Sequence, residues 1–309
     1  MELAVESPAL TKAPPTRRLG RVWRIVRILL LSYLGVCLVL SMLQTQMIFP
    51  GAASQGRLES VVRPAAGREL LDLKTPDGQR VAALFGAALT IDGTPLPGAK
   101  TRPTILFFYG NGMCMADAIG EFNKLRRLGN NVIVADYLGY GMSGGAPSEA
   151  GVYATAQAVW SHVVARPDVD QTRIVPMGWS LGAAAAIELA STKPVAGLVT
   201  CSAFTSVFDM AKTLLPFFPT SLLLRHRFEN ERKLAEVRCP ILILHGTHDS
   251  IIPFEMSKRL AAVAGERATY LPIDGADHND LFDVGGPGMF ETIGRFVDAM
   301  KPVSESKGA

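Results

Sequence analysis

Residues 177–182 read Met177-Gly178-Trp179-Ser180-Leu181-Gly182, and this stretch decides the fold that the sequence predicts. A short apolar segment of strand character precedes it, and an alanine-rich segment typical of a helix follows it. In a Gly-x-Ser-x-Gly pattern at such a strand-to-helix turn, the serine takes a strained conformation with positive φ, and side chains at the glycines would collide where helix and strand cross. Alone, the pattern also fits an ordinary tight turn, so neighbouring motifs must decide.

Length, composition and charge limit the classes of protein to consider. The chain has 309 residues, of which 48% are hydrophobic and 19% charged, which is enough for one large α/β domain and a small appendage. The net charge is only +3, and much of the basic excess lies in the first thirty residues, so no nucleic-acid partner is expected. The four cysteines show no C-x-x-C spacing, so neither a zinc site nor a disulfide framework is predicted.

From about residue 65, short apolar runs alternate with segments of helix length. The predicted strands are 69–75, 80–85, 104–109, 131–136, 174–177, 197–201, 241–245 and 269–273. The predicted helices are 114–128, 148–165, 181–192, 254–264 and 287–300. This alternation predicts an α/β fold with a mostly parallel central sheet and helices on both faces.

Three residue types needed for nucleophilic catalysis follow separate predicted strands: Ser180, Asp249 and His278. Sites in open α/β sheets form outside the carboxyl ends of the strands, so these side chains are expected to converge. A serine hydroxyl needs a base to become nucleophilic, and the base needs an acid to fix its tautomer. The sequence therefore predicts a catalytic triad in the order serine, aspartate, histidine.

Alternatives exist for the base and the acid. His248 adjoins Asp249 and would struggle to bridge it to Ser180, which favours His278 as the base. Asp277 and Asp280 flank His278 and are expected to cap its loop or carry solvated charge.

Two glycine-containing loops follow other strands. The loop 109–113 can aim backbone N–H groups inward, so the amides of Asn111 and Leu181 are expected to form an oxyanion hole, although a plain β-turn fits equally well. The loop 136–145 is rich in glycine but has no P-loop lysine or dinucleotide fingerprint. We expect it to pack beneath the site, with Ser143 playing no nucleophilic part.

The N-terminal region predicts a membrane anchor. Residues 1–24 are expected to form a disordered basic tail, 25–45 a transmembrane helix and 46–64 a linker to a domain over 65–302, with a short tail at 303–309. Arginines crowd the N-terminal flank of the apolar run, at positions 17, 18, 21, 24 and 27. The positive-inside rule then places the N-terminus in the cytoplasm and the domain on the opposite, periplasmic or lumenal side.

Other interpretations of the N-terminal run remain open. A cleaved signal peptide is one, with Gly51-Ala52-Ala53 as the cleavage site, although the apolar core is long and the site distant. A twin-arginine signal is another, based on Thr16-Arg17-Arg18, although the following run is more hydrophobic than such signals usually are.

Residues 204–231 are expected to form a cap-like insertion. Phe217, Phe218 and Leu222 lie in its apolar part, and Arg225 and Arg227 follow. These apolar side chains are candidates for an acyl-binding wall, with the arginines near lipid headgroups. A helix packed on the sheet explains the same pattern equally well.

In combination, these motifs resemble the α/β-hydrolase superfamily, and more narrowly its membrane-anchored branch of bacterial hydrolases and eukaryotic relatives, some of which depalmitoylate proteins or hydrolyse lysophospholipids. The resemblance covers nearly the whole chain past residue 40. It rests on the N-terminal run and on the stretches 109–112, 136–143, 178–182, 201–206, 239–249 and 275–278. It implies that Ser180, Asp249 and His278 are the triad. Tyr109 departs from the pattern, because many relatives have histidine there.

The sequence therefore predicts a membrane-anchored serine hydrolase that cleaves ester or thioester bonds of acyl or lipid-like substrates. Its mechanism requires no metal and no organic cofactor. A serine peptidase or amidase would use the same three residues. A non-catalytic anchored binding protein is disfavoured because serine, aspartate and histidine are all present. The sequence indicates no particular oligomeric state.

Overall fold

A computed structural model describes residues 16–303. Its contacts divide the chain into two units, residues 1–44 and 45–309. The first unit contains most of helix α1, Thr16–Ile48. Residues 16–24, expected in a disordered tail, are helical, and residues 1–15 of that predicted tail lie outside the described part of the chain.

Helix α1 includes the predicted apolar run. Its portion Gly20–Ile48 is long and apolar enough to cross a membrane, since 29 residues span roughly 43 Å at 1.5 Å per residue. A signal sequence near the N-terminus can also meet these criteria of length and hydropathy. The helix ends two residues before Pro50, whose ring disfavours helical geometry in the residue before it.

The segment 46–64, expected as a linker, differs from that expectation. It contains two 3₁₀ turns, Pro50–Ser54 and Leu58–Ser60. Phe49 is only 1% exposed and Val62 only 4%, so both side chains belong to the hydrophobic core of the second unit. Burying a phenylalanine stabilises a fold by about 1.5–3 kcal/mol, which ties this segment to the domain.

The second unit is built around an eight-stranded sheet with helices on its faces. Its strands are β1 Arg68–Lys74, β2 Arg80–Gly86, β3 Thr104–Phe108, β4 Asn131–Ala135, β5 Ile174–Trp179, β6 Leu198–Cys201, β7 Ile241–Gly246 and β8 Ala268–Ile273. Its helices after α1 are α2 Ile119–Arg127, α3 Glu149–Ala165, α4 Leu181–Thr192, α5 Val207–Leu214, α6 Thr220–Leu223, α7 Asn230–Glu236, α8 Phe254–Ala264 and α9 Leu281–Asp298.

The strand order is β1-β2-β4-β3-β5-β6-β7-β8. The pairs β1–β2 and β2–β4 are antiparallel, and every other pair is parallel, which confirms the predicted mostly parallel sheet. Strands β3, β4, β5, β6 and β7 are buried along their whole length, as expected for strands covered on both faces. Their carboxyl ends share one edge of the sheet.

Two predicted helices have different ends. Helix α2 begins at Ile119 rather than near residue 114, because the Asp117 carboxylate accepts the Cys114 backbone N–H at 2.9 Å and holds the preceding residues in a turn. Helix α9 begins at Leu281 rather than at 287. It is kinked at Gly286, whose φ of 52° is not helical, immediately before Pro287.

Candidate active site

Ser180 lies at the turn between β5 and α4, with φ 55° and ψ −116°. This positive φ is strained for a residue with a side chain. A Cβ atom on Gly178 would overlap the Gly182 carbonyl oxygen, and one on Gly182 would overlap the Phe108 carbonyl oxygen. Both flanking positions therefore require glycine because of close backbone approach. The turn has the conformation expected of a nucleophile elbow.

The structure brings Ser180, His278 and Asp249 into one hydrogen-bonded chain. The distance from Ser180 Oγ to His278 Nε2 is 3.0 Å, and that from His278 Nδ1 to Asp249 Oδ2 is 2.8 Å. The three residues follow β5, β8 and β7 respectively. With Nδ1–H donating to the carboxylate, Nε2 is left to accept the proton of the serine hydroxyl, which is the arrangement that nucleophilic catalysis needs.

The Asp249 side chain is buried, yet it is suited to stay ionised. Burial by itself would raise its pKa, but the hydrogen bond and charge interaction with His278 and the backbone N–H of Ile252 outweigh burial and hold the pKa below its ordinary value. Its Oδ1 accepts the N–H groups of Ile251 at 3.0 Å and Ile252 at 2.7 Å. These donors also fix the carboxylate orientation, so Oδ2 stays aimed at the His278 ring.

A second histidine, His245 at the end of β7, contacts the same carboxylate. Its Nε2 lies 3.0 Å from the Ile252 carbonyl oxygen and 3.3 Å from Asp249 Oδ2. Because burial lowers the pKa of His245, its ring is neutral near neutral pH, and a proton on Nε2 can be shared between these oxygens. Sequence reasoning treated His245 only as the end of a strand. The available signal was its spacing of four residues from Asp249.

The other candidates for the catalytic base and acid lie outside this chain of hydrogen bonds. His248 is exposed, and its backbone N–H donates to the Ala276 carbonyl oxygen at 3.0 Å. Asp277 Oδ1 accepts the backbone N–H groups of Ser250 and His278, each at 2.7 Å, and Asp280 Oδ1 accepts that of Asp277 at 2.7 Å. Both aspartates therefore organise the loop that presents His278, which agrees with the loop-capping role expected for them.

The predicted oxyanion loop follows β3 and is held by a buried carboxylate. Asp136 Oδ1 accepts the Tyr109 hydroxyl at 2.8 Å and the Met115 backbone N–H at 2.6 Å, and Oδ2 accepts the Met142 backbone N–H at 2.7 Å. Burial raises the pKa of Asp136, and these three donors oppose that rise. Tyr109 thus anchors the loop through its hydroxyl.

Two further tyrosines support the same loop. The Tyr137 hydroxyl donates to the Tyr109 carbonyl oxygen at 2.8 Å, and the Tyr140 hydroxyl donates to Asn111 Oδ1 at 2.9 Å. The Ser143 hydroxyl donates to the Asp136 carbonyl oxygen at 2.7 Å, so it serves packing rather than chemistry. The glycine-rich loop 136–145 therefore supports the site from beneath, as the sequence suggested.

The backbone amides of Asn111 and Leu181 donate to no protein oxygen within residues 16–303. Leu181 is the first residue of α4, where the free N–H groups and the helix dipole favour negative charge. Both amides are thus available to an anion. In the same part of the chain, no group of three or more His, Cys, Asp or Glu side chains is arranged to hold a metal ion.

The predicted acyl-binding residues are not part of the hydrogen-bonded cluster. Phe217 is 86% exposed and Leu222 is 80% exposed, whereas Phe218 is half-buried. Helices α5 and α6 lie in this region, and α5 has no buried residue. The contribution of these side chains to substrate binding therefore stays a prediction.

Known proteins are similar to this chain in sequence and in fold. A family model described as alpha/beta hydrolase fold matches residues 103–230. An uncharacterized protein of Mycobacterium tuberculosis is 33% identical over 278 residues, covering 90% of this chain and 95% of that protein. The alpha/beta hydrolase domain-containing protein WAV2 of Arabidopsis thaliana is 32% identical over 219 residues, covering 65% of this chain and 71% of that protein.

Among solved structures, the esterase Pf2001 of Pyrococcus furiosus superposes with a TM-score of 0.60 at 15% identity, covering 75% of this chain and 92% of that chain. This likeness concerns the fold. The mostly parallel sheet and the strained serine between β5 and α4 define an α/β-hydrolase architecture. With the family model and the relatives, they show that the chain belongs to the α/β-hydrolase superfamily.

Proposed function

We propose that this chain is a membrane-anchored serine hydrolase that cleaves carboxylic ester or thioester bonds of acyl substrates. The observation that carries the proposal is the continuous chain of hydrogen bonds from Ser180 Oγ through His278 to Asp249, at 3.0 and 2.8 Å. A strained serine and a buried carboxylate each cost folding free energy. A fold that did not use them would gain stability by losing them.

In the proposed mechanism, His278 Nε2 takes the proton of Ser180 as Oγ attacks the acyl carbonyl carbon. The carbonyl oxygen becomes an oxyanion, which the backbone N–H groups of Asn111 and Leu181 stabilise. As the bond to the leaving oxygen or sulfur breaks, His278 returns the proton to it. Water then attacks the acyl-enzyme with His278 again as base, which releases the acid and restores the serine. Asp249 stabilises the protonated imidazole in both steps.

A serine-directed reagent tests the proposal. A fluorophosphonate is expected to modify the full-length, detergent-solubilised protein at one residue, Ser180, as mapped by mass spectrometry of its peptides. The Ser180→Ala variant is expected to lose this labelling and the turnover of p-nitrophenyl esters. Ser143→Ala is the matched control, because Ser143 is a buried serine bonded to Asp136 and has no histidine partner among the described residues. Labelling retained in Ser180→Ala would contradict the assignment.

A serine peptidase or amidase is the second candidate, because it would use the same side chains. Matched p-nitrophenyl esters and p-nitroanilides with identical acyl groups separate the two. We expect the esters to be turned over far faster relative to their uncatalysed hydrolysis, and the reverse order would favour the amidase.

Extending the esters in chain length tests Phe217, Phe218 and Leu222 as an acyl wall. A KM that does not fall with chain length would contradict that wall.

The membrane anchor forms part of the proposal. We infer that Gly20–Ile48 spans the bilayer with the arginine-rich N-terminus in the cytoplasm and the hydrolase domain on the opposite side. Retention of the helix is supported by Phe49 and Gly51, which are buried in the second unit. Cleavage at 51–53 would remove Phe49 from the core.

Two reporters fused in turn after residue 309 test this topology. One reporter is active only in the cytoplasm and the other only outside it. The second is expected to be active, and the intact mass of the mature chain is expected to include α1. Activity of the cytoplasmic reporter alone would overturn the orientation, and a mature chain beginning after residue 53 would overturn the retained anchor.

A further inference from the structure

The residues that follow the apolar helix contact the predicted oxyanion loop directly. We call residues 45–56 the strap, because they run from the last turn of α1 across the surface of the loops that follow β3 and β4. The Gly51 backbone N–H donates to the Asn111 carbonyl oxygen at 3.1 Å. The Asn111 side-chain amide donates to the Ile48 carbonyl oxygen. Two hydrogen bonds thus join the strap to the one loop residue whose N–H is expected to meet the oxyanion.

Most of the polar groups of Asn111 have hydrogen-bond partners. Its carbonyl oxygen and side-chain nitrogen bond to the strap, and its side-chain oxygen accepts the Tyr140 hydroxyl at 2.9 Å. The group of Asn111 that has no protein partner within residues 16–303 is its backbone N–H. The Asn111 N–H belongs to the peptide that it shares with Gly110, whose carbonyl oxygen accepts the Met113 backbone N–H at 3.3 Å. The bonds to the carbonyl oxygen and side chain of Asn111 hold the other side of its Cα. The strap and Tyr140 therefore limit the directions in which that N–H can point.

Close packing at Gly51 reinforces the contact. A Cβ atom at this position would overlap both the Asn111 carbonyl oxygen and the ring of Tyr140, and it would also lie 2.9 Å from the Met113 carbonyl oxygen. Gly51 is buried and does not need glycine for its φ. It is small because the strap backbone lies directly against the loop.

The strap is fixed on both sides of Gly51. Before it, the buried Phe49 ring packs edge-on against His226, with ring centroids 5.1 Å apart, and Thr45 Oγ1 lies 3.2 Å from His226 Nε2. After it, Ser54 Oγ accepts the Gly141 backbone N–H at 3.0 Å, and the Gly56 N–H donates to the Gly141 carbonyl oxygen at 2.9 Å. Gly141 belongs to the loop 136–145, which also carries Asp136.

We propose that the strap is a positioning element of the active site: Gly51 and the Ile48 carbonyl group hold Asn111 so that its backbone N–H points at the oxyanion. This inference rests on the proposed serine-hydrolase function and adds a role for the segment between anchor and domain. The strap acts through Asn111 and does not itself touch the substrate. Catalysis then depends on the strap as well as on the loops at the carboxyl edge of the sheet.

The test uses the full chain with two variants that disturb Asn111 by different means. Gly51→Ala forces the strap and the loop apart, and Tyr140→Phe removes only the hydroxyl that supports Asn111. We expect kcat to fall about 100-fold in Gly51→Ala, because misplacing one oxyanion donor costs about 10²–10³ in kcat. In Tyr140→Phe the two bonds from the strap to Asn111 remain, so we expect a smaller fall of about 10-fold. KM is expected to change little in both variants. Leu58→Ala, at a side chain that is 87% exposed just after the strap, is the control and is expected to keep wild-type kinetics.

A transition-state mimic separates positioning from general damage to the fold. A trifluoromethyl ketone forms a hemiketal when Ser180 Oγ bonds to its carbonyl carbon, the serine proton passes to His278, and the former carbonyl oxygen becomes an oxyanion. Its inhibition constant is expected to rise in each variant by the factor by which kcat/KM falls. A kcat within twofold of wild type in both variants, or a loss of kcat with an unchanged inhibition constant, overturns the proposal. Fluorophosphonate labelling of wild-type Ser180 reports the proposed function separately.

Discussion

His278→Ala is expected to lower kcat for ester hydrolysis by about five to six orders of magnitude, because loss of the base in a serine hydrolase leaves only binding and the oxyanion hole. Asp249→Asn is expected to lower kcat by about four orders of magnitude. The two losses differ for a physical reason. Without His278 nothing accepts the serine proton, whereas without the Asp249 charge an imidazole is still present but is held in the wrong tautomer.

The structure explains why we expect so large an effect of Asp249→Asn. Asp249 Oδ1 is occupied by the N–H groups of Ile251 and Ile252, so an asparagine would keep its oxygen there and turn its NH₂ group toward His278 Nδ1. That nitrogen must then accept, which moves the ring proton to Nε2, where it faces Ser180 and cannot take a proton from it.

Both losses are measured as kcat with p-nitrophenyl esters. Active-site titration measures any contamination by wild-type enzyme. The thermal transition shows whether each variant is folded. His248→Ala is the matched control, since His248 adjoins Asp249 in sequence but is exposed and takes no part in the hydrogen bonds that join the three residues. If His278→Ala retained a tenth of wild-type kcat, a different residue would have to be the base.

The sequence was sufficient to predict the sheet and the three converging side chains because the signals are local. Each buried strand is a short apolar run, and each candidate residue follows one of them within a few positions. The glycines at 178 and 182 could be predicted for the same reason, since the geometry of a strand-to-helix turn depends on a handful of neighbouring residues. Parallel strands then bring their carboxyl ends together regardless of strand order.

The strap was missed because its contacts are not local. Gly51 and Asn111 are sixty residues apart, and Ser54 meets Gly141 across 87 positions. Residues 46–64 show neither helical nor strand periodicity, and that pattern fits a linker as well as a segment packed on a surface. Only the buried side chains of Phe49 and Val62 distinguish the two, and burial depends on which loops lie nearby.

The supporting role of the Tyr109 hydroxyl was missed for a related reason. The sequence showed Tyr109 only as a departure from the family pattern, yet its hydroxyl donates to Asp136 at the end of the neighbouring strand β4. Strands β3 and β4 are paired in parallel with Phe107 opposite Val134, which places the residues following both strands side by side. That register cannot be obtained from apolar runs alone.

Gly182→Ala is expected to destabilise the domain by about 3 kcal/mol or more, the upper range for forcing extra volume into a packed interior. The added methyl group would meet the carbonyl oxygens of Phe108 and Tyr109, which belong to the backbone at the end of β3 and cannot turn aside like a flexible side chain. Relief requires α4 to move away from β3. For a domain of this size the expected fall in the thermal transition is roughly 6–12 °C.

Gly120→Ala provides the matched control for this substitution. Gly120 lies exposed in the first turn of α2, and a Cβ atom there would meet nothing within 4 Å. The same chemical change is therefore expected to stabilise the protein by up to about 1 kcal/mol, because alanine loses less conformational freedom than glycine in a helix. Opposite signs for one substitution at two helix starts would show that the requirement at 182 comes from crowding at the elbow. A wild-type thermal transition in Gly182→Ala would instead mean that α4 and β3 can separate without cost, and the strained position of Ser180 would then need another explanation.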